Sequence, residues 1–362
     1  MPKSKVIIVG KLPPPYIGPA IATNIILNSA LKNEFELLHL NTKVNQSLDD
    51  FGKGGVQKLF KNLSIYKNLI KLLRTTKPDL ILIPISQTTI GFLKDSIFIL
   101  IAYFFKTKIL LQLRGSNFKN WMNSATSLTE KYVRFCFKKT NGMIVLGNNL
   151  KHLFEDYYID NQIFVVPNGC DIELPPKRAT PSVKILYFSN LLKSKGIRDV
   201  LSAVEDLQKR TEINFELNAV GAWYDSKFQK DCLRFVAENE LPVYFHPPAS
   251  GNEKLHRFAD SDIFVFTPIE PEGHPWSIIE ALSASLPIIS TNQGAIIESV
   301  LDGKNGFIIE SKSPNQIALK LETLLLDKKL RLEMGQSSLN HYKNNFTEKH
   351  MVANLTRVFK SI

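Results

Sequence analysis

The sequence contains little cysteine, no long hydrophobic run and no metal-binding pattern among its histidines. Its cysteines, Cys136, Cys170 and Cys232, are far apart and form no Cys-x-x-Cys pair. This pattern argues against a disulfide framework and structural zinc, and it indicates reduced thiols in a cytoplasmic protein. The longest apolar stretch, 96–105, is about half a membrane span, and the short apolar run 6–9 is typical of a first strand. We therefore expect neither a signal peptide nor a transmembrane anchor.

The charge of the chain is unevenly distributed. The 362 residues carry a net charge of +11 and 44% apolar residues, and this length favours two domains. Residues 1–175 contain 22 Lys and Arg against 12 Asp and Glu, whereas residues 176–362 contain 23 against 22. The first half therefore holds +10 of the total, which indicates an anionic partner such as a membrane surface, a lipid phosphate or a nucleic acid. We do not expect nucleic acid, because no recognised binding module is present.

Apolar runs and helical patterns alternate along the chain. In the first half the runs read as strands at 5–9, 35–40, 80–85, 109–113, 143–145 and 163–166, and helical patterns lie near 20–31, 56–74, 92–105, 126–138 and 148–154. A segment rich in proline and turn residues, 166–181, interrupts this alternation, which then restarts. Such alternation predicts an α/β fold with two parallel sheets, each covered by helices on both faces.

The segment 270–300 carries the most specific information. A buried strand, 263–266, leads into a loop with Glu270, Glu272 and Gly273, and a helical pattern then runs from about Trp276 to a strand at 287–291. Open α/β sheets bind ligands at the carboxyl ends of their strands, and a helix start offers unpaired N–H groups to a phosphate. Glu280, one turn inside the helix, has the acceptor oxygens that a ribose diol needs.

This segment resembles the signature of the retaining glycosyltransferases of family 4, which have the GT-B architecture. The resemblance rests on Glu272, on Glu280 followed by Ala281, and on Pro287, Gly294 and Glu298, with further matches across nearly the whole chain. The run Glu-Gly-His-Pro-Trp at 272–276 is similar to the subgroup that builds bacterial surface polysaccharides. The resemblance implies two doubly wound Rossmann-like domains facing a central cleft, at 1–175 and 176–345. A last helix at 346–362 would pack back on the first domain.

The resemblance also implies which groups neutralise phosphate. The family carries an Arg, and five positions later a Lys followed by Gly; here Lys195 and Gly196 match, but Asn190 replaces the Arg. Many members have a His after the strand at 109–113, and Arg114 occupies that position. Arg cannot act as a base, but it can hold phosphate or sugar hydroxyls, or form a structural ion pair. The implied catalytic residues are Glu272, Lys195 and Arg114.

Several further residues are implied in donor binding. Gly18, in a proline-rich loop, matches a family loop that approaches the ligands, although an ordinary tight turn is the alternative. His274 replaces an aromatic residue and contacts the transferred sugar or only anchors its loop. The implied donor-binding set is Glu280, Ser277, His274, Gly273, Asn190, Gly18 and Gly221.

The helical pattern at 56–74 is basic and amphipathic. Lys58, Lys61, Lys67, Lys71 and Arg74 flank its apolar positions. It is either an interfacial helix on anionic lipid or a packed helix with a solvated basic face. The first interpretation is favoured by the basic first half and by the lipid-linked acceptors common in the family.

The resemblance, together with these features, implies a retaining, metal-independent glycosyltransferase that needs no cofactor. It would move a hexose from a nucleotide-diphosphate sugar to a lipid-linked or polysaccharide acceptor, in the cytoplasm and peripheral to the membrane. Two alternatives stay open: a nucleotide-sugar epimerase of the same fold, and a non-catalytic nucleotide-sugar-binding protein. The second is motivated by the missing Arg at Asn190.

Overall fold

The structure, a computed structural model, describes residues 2–14, 17–43, 56–178 and 181–362, without the side chains of 56–62. The chain divides into two units, and the last helix belongs to the first of them. Unit 1 comprises Met1–Cys170 and Glu348–Ile362, and unit 2 comprises Asp171–Thr347. These divisions lie within five residues of the predicted boundaries at 175 and 345.

Unit 1 contains a parallel sheet with the strand order β2-β1-β3-β4-β5-β6. Its strands are β1 (Lys5–Gly10), β2 (Glu36–Asn41), β3 (Leu80–Ile85), β4 (Lys108–Leu113), β5 (Gly142–Val145) and β6 (Ile163–Val165). The intervening helices are α1 (Gly18–Asn28), α2 (Leu31–Glu34), α3 (Val56–Thr76), α4 (Thr89–Phe104), α5 (Phe118–Ser124) and α6 (Ser127–Phe137). The central strands are nearly continuous apolar runs because helices cover both faces of the sheet.

Unit 2 repeats this design, with the strand order β12-β11-β10-β7-β8-β9 in a second parallel sheet. Its strands are β7 (Val183–Phe188), β8 (Phe215–Val220), β9 (Val243–His246), β10 (Ile263–Phe266), β11 (Ile288–Thr291) and β12 (Gly306–Ile309). Its helices are α7 (Ile197–Gln208), α8 (Ser226–Glu238), α9 (Gly251–Ala259), α10 (Trp276–Ser283), α11 (Ile296–Ser299), α12 (Pro314–Leu326) and α13 (Lys328–Asn345). The prediction of two doubly wound parallel-sheet domains is confirmed.

The last helix, α14 (Glu348–Ser361), completes the core of unit 1. Its apolar face, with Met351, Leu355, Val358 and Phe359, joins one buried cluster with β1 and β3 residues such as Val6 and Leu82. Glu348 accepts a hydrogen bond from the backbone N–H of Ala30 at 3.1 Å. The chain therefore returns to the first unit after completing the second.

The helical pattern predicted at 148–154 is present, as the 3₁₀-helix Asn148–Leu153. Some local predictions were wrong. The short helices α2, α5 and α11 lie where no helix was predicted, and α4 begins three residues early, at Thr89. Thr88 caps α4 by accepting a hydrogen bond from the N–H of Gly91. Such short helices have too few turns for an apolar period to be recognised.

Candidate active site

The strand order of unit 2 reverses between β7 and β10. The chain leaves β7 toward β8 and β9 on one side, while β10, β11 and β12 fill the other side. The loops that follow β7 and β10 therefore leave the sheet beside each other, at its carboxyl edge. Such a switch point is the usual ligand site of a doubly wound sheet. Both loops carry residues singled out from the sequence.

Lys195 and Glu272 form an ion pair at this switch point. Lys195 ends a short 3₁₀ turn after β7, and its ammonium donates a hydrogen bond to Glu272 Oε1 in the loop after β10. Both side chains are partly exposed, at 26% and 14%. Burial raises the pKa of Glu272, and the charge and hydrogen bond of Lys195 oppose that rise. The structure thus brings together two of the three predicted catalytic residues.

The two loops are fixed to each other by backbone contacts. Ser194 O accepts from the N–H of Ile269 at 2.9 Å, and Tyr187 Oη donates to Lys195 O at 3.0 Å. Gly196 has a φ of +80°, and a Cβ there would lie 1.9 Å from Thr267 O. A larger residue at Gly196 would separate the loops, so glycine is required beside Lys195.

Gly294 supports the Glu272 loop from below in a similar way. Its φ is +59°, and a Cβ would lie 2.1 Å from Glu272 O and 2.4 Å from Gly273 O. Ala295 N–H donates to Gly273 O at 2.8 Å. Gly221, directly after β8, allows a similar close approach to the loop after β7, because a Cβ there would lie 1.9 Å from Ser189 O. Gly221 and Gly294 are therefore close-packing positions at the edge that carries the ion pair, and Gly273 contributes its backbone oxygen to the contact with Gly294 and Ala295.

The helix α10 begins next to Glu272 and contains Glu280. Within the described part of the chain, no side chain caps its N-terminus, and no acidic residue lies in its first turn. Ser277 is partly exposed in that first turn. Glu280 is 9% exposed, and its Oε1 accepts a hydrogen bond from Lys254 Nζ of α9 at 2.6 Å. The carboxylate is thus held by a cation that the sequence analysis did not single out.

His274 lies in the interior of unit 2. It is 4% exposed, and its Nε2 is 2.7 Å from Ser299 Oγ. Burial, assisted by His341, lowers its pKa to about 3, so the ring is neutral at physiological pH. Its ring also meets Phe346 edge-on, with 5.2 Å between the ring centroids. These contacts anchor the loop between Gly273 and α10, and a contact with the transferred sugar stays a prediction.

Arg114 and Gly18 belong to unit 1. Arg114 follows β4, and its Nη1 donates to Asn168 Oδ1 at 3.3 Å. Burial lowers its pKa to about 10, which leaves it charged at neutral pH. Gly18 is the first residue of α1, and part of the proline-rich loop before it lies outside the described residues. Asn190, by contrast, is an exposed residue just after β7 in unit 2.

The sequence analysis missed three charged residues at the carboxyl edges of the two sheets, one in unit 2 and two in unit 1. Lys254 sits on α9, outside every recognised motif, and only the folded structure brings it to Glu280. Lys11 directly follows β1, and Asp95 lies on the second turn of α4. A charged residue next to an apolar strand is a usable signal for Lys11, but a lone Asp within a helix gives none.

No group of three or more potential metal-ligating His, Cys, Asp or Glu side chains gathers among the residues that the structure describes. The sequence does contain one Asp-x-Asp pattern, Asp260 and Asp262, directly before β10 and so at the amino edge of the sheet. Asp260 pairs with Arg178 and Asp262 with Lys177. Both carboxylates are therefore engaged at the edge opposite the Lys195–Glu272 pair.

Comparison with known proteins shows that the second unit is similar to glycosyltransferases. Residues 174–341 match the family model described as Glycosyl transferases group 1. The chain is 23% identical over 351 residues to an uncharacterized glycosyltransferase of Methanocaldococcus jannaschii, covering 91% of this chain and 87% of that protein. It is 26% identical over 228 residues to the capsular polysaccharide biosynthesis glycosyltransferase CapM of Staphylococcus aureus, covering 62% and 56% of the two chains.

The fold also matches solved structures over its whole length. Anabaena HepE, crystallised with UDP and glucose, superposes with a TM-score of 0.76 at 14% identity, covering 99% of this chain and all of the other. A glycosyltransferase from Rickettsia africae superposes with a TM-score of 0.71 at 20% identity, covering 99% and 98% of the two chains. At this level of identity the likeness establishes the GT-B fold.

Proposed function

Because residues 174–341 match the glycosyl transferases group 1 family model, we propose that this chain transfers a hexose from a nucleotide-diphosphate sugar with retention of configuration. The acceptor would be a lipid-linked or polysaccharide glycan in bacterial surface glycan synthesis. The observation that carries the proposal is the edge of unit 2 where Lys195, Glu272 and the start of α10 meet. The likeness to a capsular polysaccharide glycosyltransferase supports the choice of acceptor class.

The charges at this edge suit a nucleotide-diphosphate donor. The diphosphate would take the ammonium of Lys195 and lie at the positive end of α10, with Ser277 beside it. Once the diphosphate shares Lys195, the carboxylate of Glu272 is able to accept from sugar hydroxyls. Glu280, fixed by Lys254, would accept from the ribose diol. Gly221 and Gly273 would let the backbone approach the ligand closely.

The chemistry then requires charge stabilisation rather than a protein nucleophile. In front-face attack, the acceptor oxygen bonds to the anomeric carbon on the side from which the diphosphate leaves. The departing diphosphate oxygen takes the acceptor's proton. Lys195 stabilises the charge that develops on this leaving group, which is where a fixed cation lowers the barrier most. No step requires a base or a metal ion.

Binding and product analysis test this proposal. Calorimetry with nucleoside diphosphates should show binding that Glu280→Ala weakens, and proton NMR of the product should show the anomeric configuration of the donor. Turnover should survive a chelator. Nucleotide binding without transfer to any polyprenyl-linked or polysaccharide acceptor would favour the non-catalytic alternative. Donor isomerisation without acceptor would favour the epimerase.

We further propose that unit 1 lies against an anionic membrane. The helix α4 exposes an apolar stripe of Ile90, Leu93, Ile97 and Phe104, with exposures of 71%, 48%, 37% and 80%. At its end, Lys139 Nζ lies 4.3 Å from the ring centroids of both Tyr103 and Phe135. An exposed apolar stripe edged by aromatic rings and cations suits an interfacial contact with anionic lipid.

This surface differs from the helix favoured by the sequence. In α3 the side chains of Lys58 and Lys61 lie outside the described residues, while Lys67 and Lys71 are exposed. Of the described part of the chain, no helix is long and apolar enough to span a bilayer. The proposed contact is peripheral, with the α4 stripe entering the headgroup region and the neighbouring lysines contributing about 1 kcal/mol each.

Vesicle sedimentation tests whether membrane binding depends on the α4 stripe or only on the positive charge of unit 1. Ile97→Ser with Phe104→Ser should reduce binding to anionic vesicles and leave nucleotide affinity intact. The matched control replaces Leu326 and Leu332 of unit 2, both 64% exposed, with Ser, and it should bind anionic vesicles like the wild type. Equal reduction by the two double variants, or no binding by the wild type, would refute a specific role for α4.

A further inference from the structure

The carboxyl edge of the unit 1 sheet has its own topological switch point, between β1 and β3. Three charged residues lie there: Lys11 after β1, Asp95 on α4, and Arg114 after β4. The strand β3 lies between β1 and β4, and adjacent strands are spaced about 4.8 Å apart. The backbones that carry Lys11 and Arg114 are therefore separated by about 10 Å, with the end of β3 between them.

Arg114 lacks an acidic partner within the described ranges. Its one hydrogen bond to a side chain there goes to the neutral amide oxygen of Asn168, at 3.3 Å. Burial lowers its pKa, and no nearby charge opposes the shift. A partly buried guanidinium without a carboxylate is costly, and an anionic ligand group would offset that cost.

Lys11 and Asp95 add a second cation and a single carboxylate. Burial lowers the pKa of Lys11 and raises that of Asp95, while each group's charge favours the ionised form of the other. Asp95 Oδ2 is held by the N–H of Ser86 at 2.7 Å. With Arg114, the three groups carry a net charge of +1. The edge is therefore positive although it contains a carboxylate.

A polar acceptor atom without a partner lies beside Arg114. Gln87 Oε1 is buried and makes no hydrogen bond to any described residue. The side chain packs against Gly115, where an added Cβ would lie 2.2 Å from Gln87 Nε2. Buried acceptor atoms normally have a donor, and a ligand hydroxyl would supply one here. The helix α4 starts two residues after Gln87, so its positive end lies at the same edge.

We propose that this edge of unit 1 binds a phosphate group of the acceptor. The inference rests on the proposed glycosyl transfer and narrows the acceptor to a phosphorylated molecule, either a soluble sugar phosphate or a lipid phosphate. Arg114 and Lys11 pair with the phosphate oxygens, and Gln87 accepts from a neighbouring hydroxyl. Asp95 holds Lys11 in place and limits the excess positive charge. Arg114 thereby acts in acceptor recognition rather than on the donor diphosphate.

The test uses the full chain with saturating UDP, so that the donor site of unit 2 is occupied. Calorimetric titrations compare glucose 6-phosphate, geranyl phosphate and glucose as probes. Either phosphate should bind at least tenfold more tightly than glucose. A preference for glucose 6-phosphate assigns a sugar-phosphate acceptor, and a preference for geranyl phosphate assigns a lipid phosphate. Equal affinities mean that recognition depends on the phosphate alone.

Variants locate the bound phosphate. Arg114→Gln and Lys11→Met should each weaken phosphate binding at least tenfold, while Arg114→Lys retains part of it. Lys32→Met is the matched control and should not change it, because Lys32 is an exposed lysine of α2, directly before β2 and so at the opposite edge of the unit 1 sheet. Circular dichroism checks that each variant is folded. The inference is overturned if neither phosphate binds better than glucose, if Arg114→Gln and Lys11→Met bind like the wild type, or if Lys32→Met weakens the binding as much as they do.

The UDP affinity of the same proteins keeps this outcome separate from the proposed function. UDP binding that persists while phosphate binding fails refutes only the acceptor assignment. A wild-type protein that binds no nucleoside diphosphate refutes the proposed glycosyl transfer itself, whatever the phosphate probes show.

Discussion

The pair formed by Glu280 and Lys254 allows nucleotide binding and fold stability to be measured through the same carboxylate. In Glu280→Ala, the ribose diol would lose its acceptor and Lys254 would lose its partner. A hydrogen-bonded group left unpaired costs about 1–3 kcal/mol. Since 1.4 kcal/mol is tenfold in affinity, the dissociation constant of UDP should rise by about 5- to 150-fold.

The stability effect has a different origin and a different size. The two side chains are 27% and 11% exposed, so the pair lies between a surface ion pair and a buried one. Surface pairs contribute about 0–1 kcal/mol, and breaking a buried pair costs about 3–5 kcal/mol. We therefore expect Glu280→Ala to lower the free energy of unfolding by about 1–3 kcal/mol. Lys254→Ala should cost a similar amount.

A double-mutant cycle separates the two effects. In urea unfolding, the double variant should be more stable than the sum of the single losses implies, with a coupling of about 0.5–3 kcal/mol. In UDP calorimetry, Lys254→Ala should bind within a few-fold of the wild type, and the double variant should match Glu280→Ala. If Lys254→Ala weakened UDP binding as much as Glu280→Ala does, the carboxylate would act only through local packing. A folded Glu280→Ala with unchanged UDP affinity would remove Glu280 from the donor site.

Three further predictions concern the loops around this site. Lys195→Ala should lower kcat strongly while Asn190→Arg retains or raises it, and wild-type turnover in Lys195→Ala would contradict its role at the leaving group. Gly294→Ala should lower the free energy of unfolding by about 1–3 kcal/mol more than Gly303→Ala, because both have positive φ but only at Gly294 would a Cβ meet backbone atoms; equal losses of stability in urea would contradict this. The pKa of His274 is 6.5 in the unfolded chain and about 3 in the folded protein. The stability that depends on its neutral ring is therefore complete above pH 6.5 and is lost as the pH falls toward 3. Between pH 7 and 4.5 the wild type should lose about 2–3 kcal/mol more than His274→Gln, and parallel pH curves would refute the burial argument.

The sequence by itself determined the layered architecture. Strands buried on both faces must be apolar throughout, so β3 at Leu80–Ile85 and β10 at Ile263–Phe266 were readable as runs. Helices between them repeat on a longer period, and that alternation leaves a parallel doubly wound sheet as the consistent solution. The motif around Glu272 and Glu280 could be placed because its residues follow one strand and enter one helix.

The pairing of charges was decided only by the tertiary structure. Lys195 and Glu272 are 77 residues apart and Lys254 and Glu280 are 26 apart, so no local pattern couples them. They meet because β7 and β10 become neighbours at the switch point and because α9 packs beside α10's carboxylate. His274 could not be assigned from sequence for the same reason, since its neutral state depends on burial against Ser299 and Phe346. Strand order and burial are properties of the folded sheet, and they determine which polar groups pair with the protein and which remain for a ligand.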